Sequence, residues 1–313
     1  MESGRSLGKE AVDHLNCSAA SLGSLSVVLF GLVTGISVVI ALYNGAATIE
    51  DQLDALATQT YGDFEVVVAD NGSTDGGVDV VRAHRVGALL VDASDRRGQG
   101  HARNVGAGAA SGDRLLFCDQ DDVADSRWVK AMADALDRWD LVGGHTDCDK
   151  LNAGVRGWRE PLQRPDHVGV AFGCNLGVRR RAWEGAGGWP LGWHGGYEDV
   201  AFSWSVRNAG STFGYAPEAI MYYRYRTSLR AHMRQQYAYG RQSEVARREL
   251  PDAELSPRVP AWRVIAGLVR HAPQLLHRRT AGMWFGKLAR QAGVRASLLA
   301  EKRRRPALPE ATD

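Results

Sequence analysis

Cysteine is scarce in this 313-residue chain: Cys17, Cys118, Cys148 and Cys174 are all it has, at irregular spacing. That excludes a disulfide framework and a CxxC metal knuckle, and three of the four lie in stretches that read as buried strand or adjacent turn, as reduced thiols do. Ten prolines beside 36 glycines, with 44% hydrophobic and 24% charged residues, exclude collagen, a coiled coil and wholesale disorder. No Gly-x-Gly-x-x-Gly follows the first apolar run, where the chain reads Leu42-Tyr43-Asn44-Gly45, and no Walker lysine loop occurs. A dinucleotide-dependent oxidoreductase and an NTPase are thereby disfavoured.

Charge of one sign is also missing from the whole, but not from its parts. Of 38 basic and 36 acidic residues, residues 261–306 hold eleven Lys/Arg and one acid, Glu301, which leaves 27 basic against 35 acidic elsewhere. A mildly acidic body with a basic tail excludes a nucleic-acid binder whose charge is spread over its fold. The tail mixes its arginines with Trp262, Leu268, Trp284 and Phe285, which suits either peripheral contact with an anionic membrane or a helical cover on the sheet. Residues 22–42 carry no charge, a transmembrane length. Their second half reads as a core strand, and VVLFGLV in the first half is too short to span and lacks a signal peptide's flanks. Residues 1–34 are therefore expected outside the fold, with a domain over 35–250 and a basic helical segment over 251–313. A cytoplasmic protein, peripheral at most at the inner membrane face, is expected.

What is present is an alternation of strand and helix. ISVVIAL (36–42) is an apolar, β-branched run of the kind buried on both faces of a sheet. A helical pattern follows over 48–60, then strands over 64–70, 88–92 and 114–119, with helices near 77–84 and within 98–110. This order predicts an α/β fold, a mostly parallel central sheet with helices on both faces. A helix over 128–139, a strand over 140–143, a strand pair over 212–225 and a long helix over 229–248 complete the pattern. Ligands on such sheets bind beyond the carboxyl ends of the strands. Asn44, Asp70 with Asn71, and Asp119 to Asp122 all fall there. Any one cluster is explained as turn formers; three at one edge point to a site.

Cys118-Asp119-Gln120-Asp121-Asp122 sets three carboxylates at a strand end. Their repulsion calls for a cation, and oxygen ligands beside a phosphate-bearing ligand suit Mg²⁺ or Mn²⁺. Glu198-Asp199 opens a helix, where acids complement the helix dipole; one of the two can equally serve as general base on a hydroxyl.

Together these segments resemble the family 2 glycosyltransferases of GT-A fold. The likeness runs from residue 36 to 248, through DNGSTDGG, GQGHARN, FCDQDD, GCNLGVRR and GYEDVAFSWSVRNAG. It implies inverting transfer of a sugar from a nucleotide-diphosphate donor to a glycan, lipid-linked or small-molecule acceptor. It further implies that Ala41, Tyr43, Asn44 and Asp70 line the nucleotide pocket, with Asp75 a structural or binding acid in the same loop. Arg103 and Asn104 are implied near the base or diphosphate, and Asn175 on the sugar and acceptor side. Asp119 and Asp121 would form the DXD, near the ribose and on the metal, with Asp122 behind them. Asp199 would be the catalytic base, and Glu198 would hold the acceptor or the base. Arg224, Arg226 and Arg234 lie where a C-terminal segment could fold over the diphosphate.

Two departures stand out. Tyr222 or Tyr223 occupies the place of a metal-binding histidine that many members have, and a neutral phenol is a poor ligand for Mn²⁺. The processive motif QxxRW is absent, Gln235-Gln236-Tyr237-Ala238-Tyr239 being its nearest approach. A catalytically degenerate nucleotide-sugar scaffold or sensor is the rival expectation, with His194 a further candidate acceptor contact.

Overall fold

The computed structural model describes residues 35–153, 165–193, 195–250, 258–276 and 278–304, with Ala253 and Leu255 between. Residues 1–34 and His194 lie outside the described residues, and so do the expectations placed on them.

Strands β1 (Ile36–Leu42), β2 (Glu65–Asp70), β3 (Leu89–Asp92) and β4 (Arg114–Asp119) alternate with helices α1 (Ile49–Ala57), α2 (Gly77–Ala83) and α3 (Gln99–Ala109). Then follow β5 (Val123–Ala124), α4 (Trp128–Leu136), β6 (Leu141–Asp147), α5 (Pro165–Val168), β7 (Asn175–Arg179), α6 (Arg180–Gly185), α7 (Glu198–Asn208) and β8 (Phe213–Tyr222). Among the described residues, α8 (Leu229–Glu249), α9 (Ala261–Arg270) and α10 (Arg278–Arg304) come next. The strands form one sheet in the order β3-β2-β1-β4-β7-β6-β8-β5. β1, β2, β3 and β4 pair in parallel, as do β6 and β8, whereas β7 is antiparallel to both β4 and β6.

The period of two along β1 explains the layering. Val38, Ile40 and Leu42 pack with Ile49, Leu53 and Leu56 of α1 and with Trp128 and Met132 of α4. Val39 points to the other face, into a cluster with Ala107 of α3, Phe117, Trp189 and Phe202 of α7. Both faces being covered, the strand is apolar throughout.

The sheet is mostly parallel, as expected. GCNLGVRR adds one strand, β7, antiparallel to both of its neighbours. One expectation is corrected. The strand pair over 212–225 is a single strand. Its pairing with β6 jumps from Gly144–Ala216 to His145–Ile220, leaving residues 217–219 out of the ladder. Pro217 lies in that gap, and a proline has no N–H to give to a ladder.

Candidate active site

The carboxyl ends of β1, β2 and β4 open into a cleft of about 1600 Å³ that continues between the sheet and the C-terminal helices. Ala41, Tyr43, Arg103, Asp119, Asp121, Glu198 and Asp199 all line it.

The first arm is the loop after β1. Asn44 adopts a left-handed backbone (φ 49°), where asparagine is tolerated better than most residues. Its Oδ1 accepts from Thr74 N at 2.8 Å, and its own N–H donates to Ser73 Oγ at 3.0 Å. Asp70 Oδ1 accepts from Ser73 N at 3.0 Å, and Asp75 accepts from Ala46 N at 2.9 Å and Gly77 N at 3.1 Å. Asn44 and Asp75 therefore tie the β1 and β2 loops together, while Asp70 closes the turn after its own strand. Gln120 exchanges two hydrogen bonds with the Tyr43 backbone, at 2.8 and 3.1 Å, locking the β4 loop to the β1 loop. Tyr43 presents a half-exposed ring with the Arg97 guanidinium 4.6 Å from its centroid.

The second arm is the acidic turn after β4. Carboxylate oxygens of Asp119, Asp121 and Asp122 lie within 4.8 Å of one another. Asp119 Oδ1 accepts from Gln99 Nε2 at 2.7 Å and Arg103 Nη2 at 2.8 Å. Asp121 Oδ2 accepts from Arg226 Nη1 at 2.6 Å. Asp122 is fully buried; its Oδ1 accepts from Arg224 N at 2.8 Å, while its Oδ2 has no hydrogen-bond partner. Burial first, then the neighbouring carboxylates, pushes Asp121 up and Asp122 well up from the usual carboxylate range. An orphaned buried oxygen in a cluster of three carboxylates, two of them paired with arginines, fits a hard divalent ion.

The third arm is the start of α7. Tyr197 takes a left-handed backbone (φ 71°) just before Glu198, a strained conformation for a non-glycine residue, and its hydroxyl accepts from Arg290 Nη2 at 2.8 Å. Asp199 Oδ1 accepts from Val200 N at 2.8 Å, and its Oδ2 lies 3.5 Å from Gly173 N. Glu198 Oε2 is buried without a partner, and Oε1 lies 3.7 Å from Arg103 Nη1. Burial and the Asp199 charge push Glu198 up to about 7 against the pull of Arg103, and burial likewise raises Asp199.

Arg103 thus joins the second arm to the third. Its guanidinium sits 4.3 Å from the Trp189 ring centre and against Gly173, where a Cβ would come within 2.6 Å of Nη2. Trp189 stacks on Phe202 at 4.3 Å and meets Phe117 edge-on at 5.1 Å. Neither Trp189 nor Gln99 was legible as a site residue: GQGHARN contains Gln99 without marking a role, and Trp189 lies between the matched segments.

Four predicted residues do not line the cleft: Asn44 and Asp70, which shape the loops beside it, and Asn104 and Asn175. The Asn104 amide is spent on the backbone of Trp189, donating to its O at 2.8 Å and accepting from its N at 2.7 Å. Asn175 is buried; it accepts from Trp128 Nε1 at 2.7 Å and donates to His145 O at 2.9 Å and Ala219 O at 3.0 Å. Neither side chain has polar capacity directed at the cleft. Tyr222 donates to Asp125 Oδ2 at 2.7 Å, while Tyr223 lines the cleft edge-on to Tyr225.

Residues 37–185 match the family model described as glycosyl transferase family 2. The glycosyltransferase AglE of Haloferax volcanii is 30% identical over 200 residues, 59% of this chain. The chain spans 65% of that relative's length and smaller shares of other matched glycosyltransferases. Among solved structures, a mannosyltransferase of Pyrobaculum calidifontis in complex with GDP-Man and Mn²⁺ superposes with a TM-score of 0.60 at 20% identity, covering 85% of this chain and 88% of that one. S. aureus TarS in complex with UDP-GlcNAc does so with a TM-score of 0.51 at 16% identity, covering 87% and 93%. These likenesses show a GT-A fold.

Proposed function

We propose that this chain, whose residues 37–185 match the model of glycosyl transferase family 2, moves a sugar from a nucleotide-diphosphate donor to an acceptor hydroxyl with inversion at the anomeric carbon. One observation carries the reading: an acidic, oxygen-rich cluster and a raised carboxylate pair share one cleft and are bridged by a single arginine, Arg103. The donor complexes of the two structural neighbours, with GDP-Man and with UDP-GlcNAc, agree with such a donor.

The nucleotide would rest on the β1 loop, with Tyr43 and Arg97 offering a ring and a cation to the base, and Ala41 and the Asp70–Asn44 loop shaping the pocket. Asp121, with Asp119 and Asp122 beside it, would hold a Mn²⁺ or Mg²⁺ ion, which supplies positive charge to the leaving diphosphate. Gln99 and Arg103 hold Asp119 in place. Arg226 reaches Asp121 from the segment after β8 and stands ready to pair with a diphosphate oxygen. Asp199, anchored through its backbone contacts, takes the proton of the acceptor hydroxyl as that oxygen attacks the face opposite the nucleotide. Glu198 fixes Arg103 on the acceptor side and keeps a second carboxylate next to the base.

Asp199→Asn tests the assignment. Turnover should fall by about a hundredfold or more while donor binding, followed by calorimetry, stays within about twofold. Unchanged turnover would sink the base assignment. A wild-type chain that binds the donor but never turns it over would favour the degenerate scaffold.

A further inference from the structure

Helix α9 is held by one side and bare on the other. Val264 and Leu268 are half-buried, and Trp284 Nε1 of α10 donates to Leu268 O at 2.8 Å. On the outer side Trp262, Ile265 and Val269 recur at helical spacing and are 65%, 54% and 69% exposed. Leu276, in the 3-10 turn Ala272–Leu276, is 82% exposed and extends the same apolar character. A stripe of this size on a helix fixed in place marks an interaction surface rather than scattered surface apolarity.

The charge around the stripe selects what covers it. From residue 255 to residue 300 the sequence has no Asp or Glu and eight Lys/Arg, four of which, Arg258, Lys287, Arg290 and Arg295, line the cleft instead. Arg263 and Arg270 are exposed on the helix itself, and the Arg263 guanidinium lies 5.2 Å from the Trp262 ring centre. Tryptophan and branched aliphatics along one side with arginines beside them are the pattern of a helix lying in a membrane interface. Among the described residues no helix is long and apolar enough to cross a membrane, so contact there would be peripheral.

We infer that α9 and the turn after it dock on an anionic lipid bilayer, with Trp262, Ile265, Val269 and Leu276 in the headgroup–acyl boundary and Arg263 and Arg270 on lipid phosphates. Arg258 and Val259, which lead into α9, line the large cleft. Docking would therefore set that end of the cleft beside the headgroups. The inference does not rest on sugar transfer, and its test uses neither donor nor acceptor.

The full chain is mixed with vesicles of phosphatidylcholine alone or with added phosphatidylglycerol, and the bound fraction is read by sedimentation. The wild type should bind the phosphatidylglycerol vesicles and lose binding as salt rises. The triple change Trp262→Ala, Ile265→Ala, Val269→Ala should lower the partition coefficient by about tenfold or more, and Arg263→Gln with Arg270→Gln should lower it on anionic vesicles only. Unchanged melting temperatures and circular dichroism show that the variants fold. Failure of the wild type to bind anionic vesicles overturns the proposal, as does binding that ignores the stripe substitutions. A wild-type dimer that the triple change converts to monomer, without vesicle binding, would make this face a self-interface and overturn it too.

Discussion

Glu198 and Asp199 sit side by side at the start of α7, and their environment sets the pH at which they can act. Burial raises both, the Asp199 charge raises Glu198 further, and Arg103 pulls the other way, leaving Glu198 at about 7. Asp199, the base, must be unprotonated, and burial raises it, so kcat/KM is expected to climb with pH along a limb that lies above the ordinary carboxylate range and then level off; a pH-rate profile checks this. The shift of Glu198 acts on stability with a definite sign. Glu198 holds its proton more tightly folded than unfolded, so its contribution is fully present below the ordinary value of 4.5 and is lost as pH rises through about 7. Glu198→Gln should therefore be more stable than the wild type at pH 8, by on the order of 3 kcal/mol, and equally stable at pH 4; calorimetry at the two pH values checks this. At this scale the sequence was a partial guide. Arg103, Asp119, Asp121, Glu198 and Asp199 were all singled out and all line one cleft. Asn104 and Asn175 were singled out by the same motifs, yet their amides serve buried backbone and Trp128. A motif identifies a residue type; whether its donors are already spent depends on strands and loops that approach from far along the chain.

At the scale of elements, the segment leaving β8 matters most for the acidic turn. Arg224 donates from its backbone to Asp122, from Nε to Asp121 O at 2.9 Å and from Nη2 to Asp51 at 2.7 Å, while Arg226 pairs with Asp121. Arg226 and a metal ion compete for Asp121, since both seek the same oxygen. Arg226→Ala is expected to tighten Mn²⁺ binding several-fold in the absence of nucleotide and to weaken nucleoside-diphosphate binding by about tenfold, the worth of one charge-assisted contact. Titration calorimetry of each ligand alone reads both effects; weaker Mn²⁺ binding would contradict the competition. The sequence placed these arginines after the last strand but could not show that they bend back to the acids.

The pairing of α8 and α10 makes a second case at this scale. Gly240 of α8 faces the Arg290 backbone, where an added Cβ would collide with O, and Gly293 of α10 faces the Tyr237 backbone in the same way. Backbones this close leave no room for a side chain. Gly240→Val should push the helices apart and cost on the order of 1–3 kcal/mol, seen as faster proteolysis after residue 250. The acidic turn lies outside this contact, so Mn²⁺ affinity should be unchanged. A helix over 229–248 was legible from composition; its glycine contact with a helix some fifty residues later was not, because a long polar helix carries no sign of where its partner will cross.

For the whole molecule, the first half was the more readable. β1, β2 and β4 are apolar runs buried on both faces and alternate with helices, which pointed to parallel pairing but not to their order in the sheet. The second half mixes β7, antiparallel, with a β8 broken at Pro217, and neither a reversal nor a gap in a ladder has a local signature. The sheet nonetheless brings the carboxyl ends of three parallel strands to one edge, and there the protein concentrates negative charge that its own arginines only partly offset. That imbalance predicts how the folded chain responds to ligands. A divalent ion relieves repulsion among Asp119, Asp121 and Asp122 in the folded state alone, so Mn²⁺ by itself should raise the melting temperature, and EDTA should abolish the rise. A nucleoside diphosphate adds to the same site, and at a hundred times its dissociation constant contributes about 2.7 kcal/mol, or several degrees in a chain of this size. A panel of UDP, GDP and dTDP, each with Mn²⁺ and with EDTA, separates the cases. A rise that needs metal ties the nucleotide to the acidic turn. An equal rise in EDTA would leave Arg226 and Arg103 as the cations for the diphosphate and take the metal out of donor binding.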